Sequence, residues 1–493
     1  MIKVGRSVYT NLYCSTFFVI VMKQRLLTIY FRLLGVLARW YILKRKPYIV
    51  GINGSVGKTS CRMIVHQTLS QLLPKLTIET SPKNFNGELG MSLSIFGVTH
   101  YTPTIFGMIK ALRECTTKRF FSAKKPYDVI LLEYGIDHPG EMAFLVSIAK
   151  PHCSIHTQID AVHSLQFGNP DNIAREEFLL QQNTRTITFL NTDDPYLHHI
   201  TETLESMNTV DMITYSATGA STGSTTISIN PIGWKVENSG QWQWEVSSPT
   251  IVQQNMITFN KSKTIKLGIN LLWDYHMAYA AVWVCLSDII ARQFFQKEAV
   301  IQWQDISLHL SLQPWRWSIF AWIHNSIIID STYNSSPRSV SHIIESTTQR
   351  RDSTHPNHKL LFVLWDMREL WTEEYSAHEH LAQLLQQQNA TIFLIWQSMK
   401  DIVMTYLHKH GLLNIATLQW FPHYQAVWQH LQWYLLQQNN TPHILIFKWS
   451  QNTIFLEEAI KYVLANKSDE SQLTRQWDRR AHKKNTFLKT YGL

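Results

Sequence analysis

Glycine is in short supply in this chain, acidic residues are missing from its first part, and cysteine is sparse. Nineteen Gly in 493 residues is about half the usual share of ~7%, whereas Trp, ordinarily among the rarest residues, occurs 18 times. The five Cys, at positions 14, 61, 115, 153 and 285, form no Cys-x-x-Cys pair and no metal spacing. That pattern argues against a zinc ribbon or a disulfide scaffold and fits a reducing, cytosolic compartment. No acidic residue precedes Glu79. Residues 1–46 hold nine Lys and Arg, and the other 447 residues balance 36 basic against 36 acidic groups. The net charge of +9 therefore resides in the first 46 residues, and the neutral body argues against a nucleic-acid partner.

What is present can fold. With 45% hydrophobic and 16% charged residues the chain can bury a large core, and its length suggests roughly three domains. Within residues 1–46 the longest uncharged run is Ser7 to Met22. Its sixteen residues fall short of the ~18–20 of a membrane span, and no small-residue cleavage site follows. Arg25, Arg32, Arg39 and Lys46 recur every seven residues, which makes one basic stripe on a helix that is apolar on most other sides. Such a helix either lies in an anionic membrane surface or packs on the domain body with its arginines snorkelling; a true membrane span or an uncleaved signal anchor is the third reading.

Tyr48-Ile49-Val50 reads as a strand and leads into Gly51-Ile-Asn-Gly54-Ser55-Val56-Gly57-Lys58-Thr59-Ser60, followed by a helical pattern through Met63, Val65, Leu69 and Leu72. Strand, glycine-rich turn and helix in that order make a P-loop. Its glycines let backbone N–H groups approach phosphate, Lys58 reaches the terminal phosphates, and the Thr59 hydroxyl suits Mg2+. A second strand, Val129 to Leu132, ends in Glu133, a carboxylate where a further Mg2+ ligand belongs.

Further segments give the chain a resemblance to the Mur ligases, ATP-dependent amide-forming enzymes of peptidoglycan synthesis. Pro82-Lys-Asn84-Phe-Asn86-Gly-Glu88-Leu-Gly90 and Leu132-Glu133-Tyr-Gly135 through Pro139-Gly140-Glu141 resemble loops of the branch that adds D-alanyl-D-alanine. Thr157 through His163 to Asn172-Ile173-Ala174, and Asn191-Thr-Asp193-Asp194-Pro195, are similar to the segments that follow. Ile329-Asp330 through Tyr333-Asn334 to Ser339, Val363 to Leu370, and Lys448-Trp449-Ser450 resemble C-terminal signatures. The matches run in order from about residue 47 to 460.

The resemblance implies a reaction in which the carboxylate of a nucleotide-sugar peptide attacks the γ-phosphate of ATP and the acyl phosphate is then attacked by an amine. It implies that Gly54 to Ser60 cradle phosphate, Lys58 binds the β- and γ-phosphates, and Thr59 and Glu133 hold one Mg2+. His163 would ligate a second Mg2+, Arg316 would approach the γ-phosphate, His276 would lie on the adenine side, and Asp330 would bind ribose. Asn84, Asn86, Asn334, Lys448 and Ser450 would meet substrate. Three departures qualify this. Many members carry a carbamylated lysine after the Ile-Ala pair, and Glu177 stands there; it is either a metal ligand or a surface glutamate. Met277 stands where Asn usually follows His276. A sugar-nucleotide domain normally precedes the phosphate loop, and here the basic arm does.

The expected architecture is α/β. A helical arm (1–46) precedes a P-loop central domain with a mainly parallel sheet (47–311), which carries a β-rich insert at about 216–260. A smaller Rossmann-like α/β domain (312–466), with strands near 326–330, 360–364, 391–395 and 443–447, and a polar tail (467–493) follow. ATP is expected in the cleft between domains, with domain closure assembling the site. The expected substrates are a nucleotide-sugar peptide and D-alanyl-D-alanine, the expected state a monomer in the cytoplasm, at the inner membrane face if the arm binds lipid. Folylpolyglutamate- and cyanophycin-type ligases of the same superfamily, and a non-catalytic, membrane-associated nucleotide-binding scaffold, are the alternatives.

The resemblance also bears on the Trp excess. Trp273, Trp315, Trp365, Trp371, Trp396 and Trp449, with Trp322 as a further candidate, stand where the family pattern usually has Gly. Some bacteria read UGA as glycine, so a gene of that kind translated with UGA as Trp would give this pattern. Such positions should then show Trp on turns or in glycine conformations, or crowding the nucleotide cleft.

Overall fold

The computed structural model describes residues 26–81, 87–98, 101–102, 104–116, 127–160, 164–191, 193–196, 211–215, 226–230, 234–237, 243–245, 250–259, 263–269, 274–295, 306–312, 316–322, 326–332, 335–368, 370, 373–411, 417–438, 440–448, 460 and 464. Six parallel strands form the first part of one sheet. They are β1 (Tyr48–Asn53), β2 (Ile78–Thr80), β3 (Val129–Glu133), β4 (Cys153–His156), β5 (Ile187–Asn191) and β6 (Asp211–Tyr215), in the order β6-β5-β4-β1-β3-β2. β1 and β3 are buried along their whole length, as continuous apolar runs covered on both faces should be. Helices α1 (Leu26–Arg45), α2 (Lys58–Leu72), α3 (Gly87–Ile95), α4 (Ile105–Arg113), α5 (Glu141–Ile148), α6 (Ser164–Phe167) and α7 (Pro170–Gln182) alternate with these strands. α8 (Asp274–Phe295) packs on α2 through buried Trp283, Val282 and Leu286.

The sheet continues past β6 into antiparallel strands β7 (Thr226–Asn230), β8 (Trp234–Glu237), β9 (Gln243–Glu245), β10 (Thr250–Phe259) and β11 (Lys263–Ile269). The antiparallel part is thus hydrogen-bonded to the parallel part and runs on to Ile269, beyond residue 260. β12 (Ile306–Leu308) adds to β11 in parallel.

A second sheet takes the order β13-β14-β18-β15-β16-β17. Its strands are β13 (Ser318–Trp322), β14 (Ser326–Ser331), β15 (Lys359–Trp365), β16 (Ala390–Ile395), β17 (Thr417–Phe421) and β18 (His443–Lys448). Only β13 is antiparallel to its neighbour; the other pairings among these strands are parallel. Its helices are α9 (Pro337–Thr354), α10 (Glu374–Gln386), α11 (Thr405–His410), entered through a π-turn at Met399–Met404, and α12 (Tyr424–Leu436). Separate apolar clusters lie on the two faces of this sheet.

Among the described residues, two helices, Leu26–Arg45 and Ala278–Phe295, are long and apolar enough to cross a membrane. The uncharged-run criterion missed the first because Arg32 and Arg39 interrupt it. Both are anchored in the body: Leu34, Ala38 and Tyr41 are fully buried, as are Trp283, Val284 and Leu286.

Four described non-glycine residues have a left-handed backbone, and two are Trp: Trp317 at φ 63° and Trp396 at φ 86°. Trp396 is one of the positions matched to a family glycine, and it sits at the end of β16 in a conformation that favours glycine. Trp365, another, is 1% exposed and stacks on Trp396 with ring centroids 4.9 Å apart. Trp273, Trp315, Trp371 and Trp449 lie outside the described residues.

Candidate functional site

The phosphate loop leaves β1 at Asn53 and enters α2 at Lys58. Gly54 and Gly57 have φ of 121° and 91°. A Cβ at Gly54 would lie 2.2 Å from Thr157 Oγ1, and one at Gly57 would lie 2.6 Å from the Tyr279 hydroxyl. Both conformation and space therefore require glycine here. The loop is strapped to the chain after β4. Ser55 and Val56 N–H donate to the Gln158 carbonyl at 2.7 and 3.1 Å. Thr157 Oγ1 donates to the carbonyls of Asn53 and Val56 at 2.9 and 2.7 Å. Lys58 Nζ donates to the carbonyls of Gly54 and Ser55, so the ammonium sits over the loop that α2's N-terminal N–H groups also face.

Two carboxylates flank this loop. Glu133, at the end of β3, accepts from Thr59 Oγ1 at 3.3 Å and from Arg62 Nε at 2.5 Å. Arg62 is 2% exposed and also donates to Thr80 Oγ1 and the Ser81 carbonyl, which fixes Glu133 beside Thr59. Sequence reasoning missed Arg62; the available signal was its i+3 spacing from Thr59 on one helix face.

On the other side stands Glu177 of α7, 2% exposed, which removes the surface-glutamate reading. Its neighbour Glu176 accepts from Gly140 and Met142 N–H at 3.0 Å each and caps α5. Glu177 Oε1 accepts from Ser55 Oγ at 3.4 Å, whereas Oε2 is buried with no hydrogen-bond partner. Burial pushes Glu177 up to about 7, with Lys58 and His156 pulling the other way. A buried carboxylate oxygen without a donor, turned toward a phosphate loop, suits an oxygen-preferring divalent cation. Among the described residues no three His, Cys, Asp or Glu converge as a metal cage.

His156, at the end of β4, forms a buried pair with Asp194, Nε2 to Oδ2 2.7 Å. Burial alone would lower the His156 pKa, but the Asp194 hydrogen bond and charge outweigh it and raise it; Asp194 is held low by the same bond against its own burial. Asp194 also accepts from the N–H groups of Ile159 and Tyr196. The Asn191-to-Pro195 motif therefore shapes the chain segment that straps the phosphate loop, a role the sequence did not disclose.

The C-terminal sheet brings three predicted residues together at its strand ends. Asp330 is the penultimate residue of β14, whose last residue, Ser331, pairs with Lys448 of β18. Asp330 Oδ1 accepts from Thr332 N–H and Oγ1 at 3.1 and 2.7 Å. Burial, with Arg316 nearby, pushes Lys448 down to about 7, and Asp330 opposes this. Lys448 Nζ donates to Ser331 Oγ at 3.3 Å. His276 on α8 is buried and meets Trp317, the residue after Arg316, edge-on at 6.3 Å. Asn84, Asn86, His163, Asn334 and Ser450 lie outside the described residues.

The two sheets meet across this site. Arg338 N–H, in the first turn of α9, donates to Asp160 Oδ2 at 3.2 Å, and Arg338 Nη1 lies 4.0 Å from Asp194. Gln158 Nε2, on the strap, lies 3.4 Å from His342 Nε2.

A phosphate loop at a strand end, in a sheet that contacts a second α/β sheet through Asp160, Asp194 and Gln158, defines a two-sheet α/β fold with a P-loop. Residues 52–248 match the Mur ligase middle domain. The chain is 30% identical over 149 residues to the UDP-N-acetylmuramoyl-tripeptide–D-alanyl-D-alanine ligase of Mycobacterium leprae, covering 30% of this chain and 23% of that one. The matched segment thus spans about a quarter of that relative. In three dimensions the chain is similar to MurF from Acinetobacter baumannii, with TM-score 0.62, 15% identity, and 88% and 80% of the two chains covered. MurF ligase from Thermotoga maritima, solved in complex with ADP, gives TM-score 0.57 at 16% identity, with 94% and 84% covered.

Proposed function

We propose that this chain is an ATP-dependent, ADP-forming ligase that joins D-alanyl-D-alanine to a nucleotide-sugar peptide in peptidoglycan synthesis. The observation that carries the reading is the pair of carboxylates, Glu133 and Glu177, on either side of a strapped phosphate loop. Lys58 binds the β- and γ-phosphates and Arg316 the γ-phosphate, Asp330 the ribose, and His276 lines the adenine side. Thr59 and Glu133 would hold one Mg2+, and Glu177, in place of the carbamylated lysine, would hold a second with His163; bound there, Mg2+ would neutralise charge on the transferring phosphoryl group. Asn84, Asn86, Asn334, Lys448 and Ser450 meet the peptide and the amine.

The substrate carboxylate attacks the γ-phosphorus, ADP departs, and the incoming amine attacks the acyl phosphate and releases phosphate. A carboxylate is a poor acyl donor until one oxygen becomes phosphate, so the protein's contribution is positioning and charge stabilisation. A Lys448 ammonium held near neutrality by burial suits contact with the reacting end. ATP chemistry of this kind belongs in the cytoplasm.

Phosphate release from ATP by the purified chain tests the reading. It is expected with UDP-N-acetylmuramoyl-tripeptide plus D-alanyl-D-alanine and lost in Lys58→Ala. Release only with a folate or polypeptide acceptor would move the chain to another branch. ADP binding without release under any acceptor would make it a scaffold.

A further inference from the structure

Among the described residues, α1 carries a long row of exposed apolar side chains. Leu26, Ile29, Leu33, Val36, Trp40 and Leu43 alternate by three and four residues and form one stripe along the outer face; Ile29 is 64% and Trp40 61% exposed. The opposite face belongs to the body. Leu34, Ala38 and Tyr41 are fully buried, and a Cβ on Gly35 would lie 3.1 Å from Ile148 and Phe144. The helix thus lies with one face against the body. Its Tyr30 hydroxyl donates to the Met108 carbonyl at 2.9 Å, which ties it to α4. There Phe106, 86% exposed, and Ile109 continue the apolar surface. Exposed cations border it: Arg32 and Arg39 on one flank of α1, Lys44 on the other, and Lys110 on α4. The sequence has no acidic residue before Glu79.

We infer that this face docks the protein on an anionic lipid surface, with the stripe in the headgroup boundary and the flanking cations on lipid phosphates. Charge decides between this occupant and a second copy of the chain. The three-four spacing would suit helix pairing, but two copies of α1 would bring rows of Arg and Lys together with no acid on either helix, whereas paired helices use complementary flanking charges. An anionic bilayer offers the missing sign, and Trp in the stripe suits the interface.

The full chain is tested by flotation with vesicles of phosphatidylcholine alone or mixed with phosphatidylglycerol. Binding should require phosphatidylglycerol and weaken with salt. Ile29→Asp/Val36→Asp should abolish it. Arg32→Glu/Arg39→Glu should weaken it by at least about tenfold, since each cation near such a surface contributes substantially. These residues are exposed, so thermal melting and ATP-dependent phosphate release should match the parent. Absence of binding, binding indifferent to lipid charge, or variants that bind like the parent would overturn the inference. So would a lipid-free dimer that Ile29→Asp/Val36→Asp dissociates, because the face would then serve a second copy.

Discussion

The phosphate loop and the strand-end cluster of the C-terminal sheet are built by opposite means. The loop is fixed by backbone: two left-handed glycines that tolerate no Cβ, and a strap of hydrogen bonds from Thr157 and to Gln158. The cluster is fixed by buried charge: Lys448 and Asp330 among strands contributed from distant parts of the chain, with Arg316 acting on Lys448. The first region should resist changes of shape and the second changes of charge. The largest expected effect tests a residue that reaches out of the rigid loop. Lys58→Ala should lower phosphate release by about 10³-fold, the scale of a lost transition-state charge contact. The melting temperature should move little, because the hydrogen bonds of Lys58 go to loop carbonyls, though its charge also acts on Glu177. Glu177→Gln keeps shape and removes charge, and should cost about 10²-fold at saturating Mg2+ without loss of stability. Unchanged Mg2+-dependent activity would end its role as a ligand.

Arg62→Ala asks whether the loop side also depends on charge. Glu133 would lose its buried partner, which costs about 3–5 kcal/mol in comparable pairs. Urea unfolding should show this, and Arg62→Lys should recover part of it. A loss below ~1 kcal/mol would mean that Thr59 alone holds Glu133 in place.

Acid should act on the join between the regions. Burial, and then Arg338, lowers the His342 pKa to about 4 from 6.5, while Asp193 opposes this. Burial, with Arg185, lowers His152 to about 4, where Nδ1 accepts from Ile49 N–H at 3.0 Å. Both rings are neutral in the fold and bind a proton more readily when unfolded. Their stability contribution is therefore complete above pH 6.5 and is lost as pH falls toward 4. The His342 contribution is on the order of 3 kcal/mol; that of His152 is smaller because water screens its partly open ring. His342→Gln should flatten this acid limb in chemical denaturation between those pH values. An unaltered limb would assign it to the carboxylates.

The contrast also explains what could be read from sequence. The phosphate loop was legible because its parts are adjacent, Gly54 to Ser60, and each residue type answers to one geometric demand. The four inner strands of the C-terminal sheet were legible as apolar runs. Its two edge strands, β13 and β17, were not: β17 carries no such run and is only partly buried until Phe421, and the apolar run of β13, Ile319 to Trp322, was not told apart from the neighbouring run of β14. Arg62 and the His156–Asp194 pair were hidden for another reason. Their roles depend on which side chains meet across strand ends, and spacing within one element reports that only indirectly.

The smallest expected effect concerns the Trp residues, and it separates two positions that the family pattern treats alike. Trp396 holds a left-handed backbone at φ 86°, which costs a non-glycine residue about 1–2 kcal/mol. Its stack on Trp365 is worth about 0.5–1.5 kcal/mol, and its half-buried ring adds some apolar burial, so strain and contact nearly cancel. Trp396→Gly should change stability by no more than ~1 kcal/mol. Trp365 has no such strain and is 1% exposed, so Trp365→Gly should cost about 3–5 kcal/mol. We propose that glycine is the residue at 396 in the protein as its own cell makes it, and peptide mass measurement on natively produced protein reads this directly. Trp found at 396, together with a clear loss of stability in Trp396→Gly, would show that the chain built a real aromatic pair there and accepted the backbone strain to keep it.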